Sequence, residues 1–177
     1  MHSKSSVKTN VCGLLAALLL GVAGMSHGAP EEEEEHKDWK EGSFAFPAVP
    51  QRASYQPFYV SAATENRFYV DTLSLTVGVD GVVRYVLLVE TPGGAENVTF
   101  EGIRCESREK RIYASGRRDM TWSPSRQKGW ERIREAVNNR HHAALFLEYF
   151  CPGGVIVRHA EEAVAALRAG GHPEVRR

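Results

Sequence analysis

Cysteine is scarce in this chain, with three among 177 residues, and none of them belongs to a Cys-x-x-Cys pair. Without that spacing the sequence offers no thioredoxin-like thiol site. Long apolar runs are also missing. The longest, Val11 to Met25, has about 15 residues, whereas a membrane-spanning helix needs about 20. We therefore expect no membrane span in the mature chain.

The motifs of the common catalytic classes are absent as well. Beyond residue 28 the sequence has no Gly-x-Ser-x-Gly elbow, no His-Glu-x-x-His zinc motif and no glycine-rich phosphate loop before a helix. His141 and His142 are adjacent, so on a helix they would point about 100° apart and could not easily share one ion. We therefore expect no metal and no cofactor, and we assign no catalytic residue.

Neither sign of charge is in excess, because Lys and Arg together number 22 and so do Asp and Glu. Basic residues are concentrated between Arg104 and Arg118, but Glu106 and Glu109 interrupt the cluster. Nucleic acid is therefore not an expected partner.

The N-terminus has the three-part pattern of a secretory signal peptide. Lys4 and Lys8 are basic, the apolar run follows, and Ser26 and Gly28 place small side chains where a signal peptidase reads the chain. We predict that residues 1–28 are removed near Gly28-Ala29 and that the mature protein is soluble in a bacterial periplasm.

Removal of the signal would leave two cysteines, Cys105 and Cys151. An oxidising compartment favours the pairing of cysteines that lie close together. We predict a disulfide that joins the strand-rich half of the chain to the helical half. The alternative is two separate buried thiols.

Three segments are expected after the signal. Residues 29–57 form an arm, which is acidic at Glu31–Glu35 and then rich in proline and aromatic residues that we expect to dock on the domain. The acidic run itself should be solvated. Residues 58–170 form a single α+β domain, and residues 171–177 form a tail.

Strand patterns dominate the first half of the domain. Apolar and polar residues alternate from Leu73 to Val79, and Asp80-Gly81 then predicts a two-residue hairpin turn that pairs Val77 with Arg84. The stretch Val82–Glu90 is apolar on both faces, which is typical of a central strand, so Arg84 must reach the rim or a carboxylate. Further strands are predicted over residues 68–71, 97–105 and 111–115.

Helical patterns dominate the second half. Ser123-Pro124 is typical of a helix start, and Trp130, Ile133 and Val137 form one stripe of that predicted helix. Helices are also predicted over residues 143–150 and 158–168. The predicted fold class is α+β, with an antiparallel β-meander of four to five strands followed by two to three helices packed on it.

The best candidate for a binding surface follows the last predicted strand. Arginine and tryptophan side chains, which are enriched at binding hot spots, are mixed there with a carboxylate. The candidate surface consists of Arg117, Arg118, Asp119, Trp122 and Arg126.

Several segments spread over most of residues 60–170 form a recognisable set. They are Phe68–Asp71, Gly81–Tyr85, Gly94–Val98, Glu101–Cys105, Tyr113–Arg117, Trp122, Trp130 and Tyr149–Pro152. Together they resemble the cryptic neisserial protein one-like family. The resemblance implies an exported, single-domain protein without an established activity. It supports the cysteine pair and supplies no catalytic residue.

The sequence as a whole predicts a non-catalytic binding or envelope-support module whose partner is an unknown envelope protein or a small ligand. The alternative is a periplasmic hydrolase that acts on envelope glycan or peptide. A hydrolase requires two carboxylates, or a histidine and a nucleophile, that converge in one pocket. A binding module requires an exposed surface around Trp122 and Arg117 instead.

Overall fold

The computed structural model describes residues 38–135 and 140–175. The expected signal peptide, the acidic run Glu31–Glu35, Val137 and the last two residues of the tail lie outside these ranges. Within them the chain forms an α+β fold, with one antiparallel sheet of eight strands followed by two helices. No helix in the described ranges is both long and apolar enough to cross a membrane.

The strands follow the chain as a meander, with two short strands beside the main path. The strands are β1 (Tyr55–Phe58), β2 (Arg67–Asp71), β3 (Thr76–Val77), β4 (Val82–Glu90), β5 (Glu96–Arg104), β6 (Glu109–Gly116), β7 (Trp122–Pro124) and β8 (Glu131–Arg132). Along the sheet the order is β1-β2-β4-β5-β6-β7, with β3 beside β4 and β8 beside β6. The predicted number of strands was too low because β1, β7 and β8 were not predicted. β1 lies at the end of the segment expected to be an arm, and β7 and β8 are too short to show an alternating pattern.

The helices lie at the C-terminal end of the described chain. Helix α1 (Arg140–Ala144) continues as a π-helical segment over Leu145–Phe150, and helix α2 spans Ala160–Ala169. Both lie where the sequence predicted helices. His159 begins α2 by accepting a hydrogen bond from the backbone N–H of Glu162 at 3.3 Å.

The predicted helix over residues 123–137 is wrong in its described part. Backbone pairing overrides the Ser-Pro signal there, since β7 pairs with β6 at Ser115 and Ser123, and β8 pairs with β6 further along. The stripe of Trp130 and Ile133 reflects two separate contacts. Trp130 packs edge-on against Trp39 with the ring centroids 5.6 Å apart, while Ile133 is buried in the core.

The turn between β3 and β4 contains three residues, 79–81, rather than the two predicted. The N–H of Gly78 bonds to the carbonyl of Val82 across it at 2.9 Å. The extra loop residue shifts the register by one, so Val77 pairs with Val83 and not with Arg84 as predicted. The last residue of the loop is a glycine with φ of 78°, which is the left-handed conformation that a three-residue hairpin loop needs.

The alternating segment before this turn forms a strand only at Thr76–Val77. Leu73 and Val79, predicted to be buried, are 84% and 109% exposed. The chain turns immediately after β2 because the Asp71 carboxylate accepts the backbone N–H of Ser74 at 2.8 Å. Val79 lies at the tip of the hairpin loop.

Strand β4 is central, as predicted, and its two faces enter two different cores. Val83, Tyr85 and Leu87 pack with the helices, whereas Val86 packs on the opposite face of the sheet with Phe100 and Tyr113. Arg84 also lies on that second face, and its guanidinium finds Asp80 at 2.6 Å and Glu41 at 3.2 Å. The expectation that Arg84 reaches a carboxylate is confirmed.

The described part of the arm covers this second face. Phe44 lies 4.3 Å from Tyr113 between ring centroids, and Phe46 lies 5.7 Å from Phe100. Glu41 accepts a hydrogen bond from the Tyr113 hydroxyl at 2.5 Å. The aromatic residues of the arm therefore dock on the sheet as predicted, and they cover part of the face that the helices leave open.

The disulfide between Cys105 and Cys151 is present, with the two Cα atoms 5.6 Å apart. It joins the end of β5 to the end of the π-helical segment. Cys151 is fully buried and Cys105 is 4% exposed, so the bond lies inside the helix-side core.

Candidate functional site

The arm residues Val49 and Pro50 separate two open cavities. We call the cavity that is lined by more charged side chains the arginine groove. Its volume is about 550 Å³. Its lining is Val49, Pro50, Arg52, Tyr55, Leu88, Gly94, Ala95, Glu96, Val98, Gly116, Arg117, Arg118 and Met120.

The arginine groove has an apolar floor and a charged rim. Leu88 is buried, and Tyr55 and Val98 are half-buried. Arg117 and Arg118 are exposed. A concave, mostly apolar surface with a few polar groups at defined positions is the usual form of a small-molecule site.

Arg52 contributes little free positive charge to the rim. Its guanidinium donates to Glu90 at 2.7 Å and also pairs with Glu96. The hydrogen bond from Arg52 lowers the pKa of Glu90, which favours the ionised carboxylate. Arg117 and Arg118 supply the remaining positive charge of the groove, and, after the hydrogen bonds that the nearby Asp119 accepts, the charge of Arg117 also helps to lower the pKa of that carboxyl group.

The loop between β6 and β7 presents these two arginines. The N–H of Arg117 bonds to the carbonyl of Thr121 at 2.8 Å, which closes the loop. Asp119 accepts both the N–H and the hydroxyl of Thr121, and these hydrogen bonds lower the pKa of its carboxyl group. Asp119 therefore shapes the loop.

Met120 adopts an unfavourable backbone conformation in the same loop. Its φ is 63°, in the left-handed region that costs a residue with a side chain about 1 kcal/mol or more. Its side chain is 54% exposed and lines the groove. Backbone strain of this kind is concentrated at binding sites.

The five residues of the predicted surface separate into groups. Arg117 and Arg118 line the arginine groove. Trp122 is half-buried, and its indole N–H donates to the carbonyl of Pro47 at 2.7 Å, so this tryptophan holds the arm in place. Arg126 is exposed and lines neither of the two cavities.

Other residues of the groove were not found by sequence reasoning. Arg52 and Tyr55 lie in the segment predicted to be an irregular arm, and Leu88 and Val98 were assigned only to strands. Leu88 and Val98 lie side by side because β4 pairs with β5. No local sequence pattern predicts this pairing of distant residues.

The other cavity, which we call the Asp71 pocket, lies on the other side of Val49 and Pro50. Its volume is about 570 Å³. Its lining is Pro47, Ala48, Val49, Pro50, Gln51, Ala53, Ser54, Asp71, Thr72, Leu73 and Ser74. Asp71 is the one ionisable side chain in that lining, and it is 2% exposed.

Asp71 and Tyr55 are cross-strand partners with unmet hydrogen-bonding capacity. They face each other in the β1–β2 register. Neither Asp71 Oδ1 nor the Tyr55 hydroxyl has a hydrogen-bond partner among the described residues, and both atoms are buried. Burial, and secondly the charge of Asp71, raise the pKa of Tyr55, so this hydroxyl remains protonated.

A buried polar network joins the sheet to helix α1. Glu101 accepts from the Tyr85 hydroxyl at 2.9 Å and from Thr99 at 2.7 Å, and it pairs with His142 Nε2 at 2.8 Å. Burial alone would raise the pKa of Glu101, but His142 and the hydrogen bonds lower it to about 2. Burial lowers the pKa of the neighbouring His141 to about 4.

This network does not have the geometry of a hydrolase site. His142 and Glu101 are 3% and 2% exposed. His141 does line a cavity of about 280 Å³ together with Ser61 and Thr64. Both hydroxyls, however, accept backbone N–H groups of their own loop. Within the described ranges no three histidine, cysteine or acidic side chains are grouped to hold a metal ion.

Comparison with known proteins places these features in a family. The model of the CNP1-like family matches residues 34–168. The chain is also similar to Cryptic neisserial protein 1 of Neisseria gonorrhoeae (strain ATCC 700825 / FA 1090), with 26% identity over 141 residues, which covers 70% of this chain and 69% of that protein. No solved structure matches the chain. Since the family model covers most of the sequence, the chain belongs to the CNP1-like family.

Proposed function

We propose that the protein is exported to the periplasm and acts there as a non-catalytic binding module. Two features support export: the three-part leader of residues 1–28 and a disulfide buried in the core. Disulfides of this kind persist in oxidising compartments and are rare in the cytosol.

Processing is tested by the intact mass of the protein recovered from the periplasmic fraction of its native host. We expect a chain that begins at Ala29, without a lipid, and that is two hydrogen atoms lighter than the reduced form because Cys105 and Cys151 are joined. A chain that retains Met1 to Gly28, or a lipid-modified chain, would contradict the proposal.

The ligand that best fits the arginine groove is an amphipathic anion. Arg117 and Arg118 supply positive charge at the rim, while Leu88 and Val98 supply apolar surface below them. Guanidinium groups bind phosphate and carboxylate strongly because they can donate two parallel hydrogen bonds. This juxtaposition of two exposed arginines and an apolar floor is the observation that carries the proposed function.

The proposed alternative, a hydrolase, has no comparable support among the described residues. The His142–Glu101 pair is buried. Asp71 has the Tyr55 hydroxyl across the strand pair instead of a second carboxylate. A binding role therefore remains the better proposal.

The affinity for n-octyl phosphate tests the groove directly, by isothermal titration of the protein purified from the periplasm. We expect Arg117→Gln/Arg118→Gln to weaken binding at least tenfold, because hydrogen bonds to a charged group contribute about 1.5–3 kcal/mol each. Arg126→Gln is the matched control, since it removes an exposed arginine that does not line the groove. It should change the affinity less than twofold.

Two outcomes would refute the groove as the anion site. One is the absence of saturable octyl phosphate binding by the unmodified protein. The other is an equal loss of affinity in the double variant and in Arg126→Gln, which would indicate a general effect of net charge.

A further inference from the structure

We propose that the Asp71 pocket is a second binding site, which takes the ammonium group of an organic amine and uses Asp71 as its anchor. The pocket is separate from the arginine groove, although Val49 and Pro50 line both. The proposal concerns a cation, whereas the groove is proposed to bind an anion. The two sites can therefore be tested independently.

The first observation is that Asp71 is a buried carboxylate with only half of its hydrogen-bonding capacity used. Oδ2 accepts the N–H of Ser74 at 2.8 Å. Oδ1 is buried and has no partner among the described residues. An acceptor that is buried without a donor is unfavourable, and more so when it carries a charge. A ligand that brings a donor would relieve this cost.

The second observation comes from the other buried carboxylates of the sheet. Glu90 is paired with Arg67 at 2.5 Å and with Arg52 at 2.7 Å. Glu101 is paired with His142 at 2.8 Å. Asp71 has no cationic side chain within ion-pair distance among the described residues. A buried carboxylate with no cationic partner in the described part of the chain, beside an open cavity, can take a cation from outside.

The third observation concerns the remaining lining, which favours an organic amine over a bare metal ion. One carboxylate does not supply the six or more oxygen ligands that Ca²⁺ or Mg²⁺ needs. The walls are instead largely apolar, with Pro47, Val49 and Pro50 from the arm and Leu73 from the turn after β2. An ammonium group on an alkyl chain matches both the charge and the walls.

The test uses n-hexylamine, which is a cation at pH 7, and n-hexanol as its neutral analogue. Binding is measured by isothermal titration on the protein purified from the periplasm. Saturable binding of hexylamine should be at least tenfold stronger than binding of hexanol. Asp71→Asn should abolish that preference, because it removes the charge and retains an oxygen that can accept the Ser74 N–H.

Two further variants keep the test decisive. Glu65→Gln is the matched control for net charge, since Glu65 is exposed and lines neither pocket, and it should leave the affinity unchanged. Leu73→Lys brings a positive charge to the pocket on a residue that is 84% exposed, so folding should tolerate it. It should weaken hexylamine binding at least fivefold, and Leu73→Gln should not.

Each negative result would show which of the two proposed sites, the Asp71 pocket or the arginine groove, is wrong. Equal binding of hexylamine and hexanol, or equal loss in Asp71→Asn and Glu65→Gln, would overturn the amine site and leave the arginine groove untouched. Arg117→Gln/Arg118→Gln should bind hexylamine as the unmodified protein does. A loss of hexylamine binding in that double variant would contradict the separation of the two sites.

Discussion

Replacing Cys105 with serine should lower the melting temperature of the protein by about 10 °C or more. The disulfide closes a loop between residues separated by 46 positions. The chain-entropy model attributes about 4 kcal/mol to such a loop, which is a large part of the net stability of an ordinary domain. The substitution would also leave the thiol of Cys151 and a serine hydroxyl inside the core.

Reduction provides the control for this variant. A reducing agent should lower the melting temperature of the unmodified protein by a similar amount and should leave that of Cys105→Ser almost unchanged, as differential scanning calorimetry can show. A titre of two free thiols in protein taken from the periplasm would contradict the account of how the two halves are joined.

Removing the charge of Glu101 should destabilise the protein about as much as removing the disulfide. The Glu101 carboxylate binds three side chains, the hydroxyls of Tyr85 and Thr99 and the ring of His142, and hydrogen bonds to a charged group contribute about 1.5–3 kcal/mol each. Glu101→Gln should therefore reduce the free energy of unfolding by about 3 kcal/mol in urea titrations. Glu96→Gln, on the same strand, is the control. The side chain of Glu96 is 50% exposed, so its loss should cost less than about 1 kcal/mol.

Lowering the pH should also reduce the stability of the fold, through Glu101 and His141. The folded-state pKa of Glu101 is about 2, against an ordinary value of 4.5. Its contribution is therefore present above pH 4.5 and is lost as the pH falls from 4.5 towards 2. The pKa of His141 is lowered from 6.5 to about 4, so the unfolded chain takes up that proton first and stability also falls between pH 6.5 and 4. Stability that stayed constant from pH 6.5 to 4 would contradict the assignment of His141, and stability that stayed constant from pH 4.5 to 2 would contradict that of Glu101.

The long strands were predictable because their patterns are local. Val82–Glu90 is apolar on both faces, and this alone indicated a central strand and the need of Arg84 for a carboxylate. The short strands β7 and β8 were missed because their pairing with β6 depends on contacts between distant residues. The hairpin register was wrong by one residue because the Asp-Gly pair fits a three-residue loop as well as a two-residue loop.

The candidate site was predictable only in the residues that lie together in sequence. Arg117 and Arg118 form such a pair, and their mixture with aromatic residues indicated a surface. Tyr55, Asp71 and Leu88 come from three different strands, and their proximity follows from the sheet order. The role of Trp122 was also hidden, because its hydrogen bond to Pro47 depends on the path of the arm.

The central claim is that an anion binds between the arm and the β6–β7 loop, and its position is measured most directly by amide chemical shifts. In a two-dimensional spectrum of the ¹⁵N-labelled protein titrated with n-octyl phosphate, we expect the largest saturable changes at residues 117–121, at Tyr55 and at Val98. Changes in the loop of Arg126 should be small. Changes concentrated around His141 and Thr64, with none at residues 117–121, would contradict the claim.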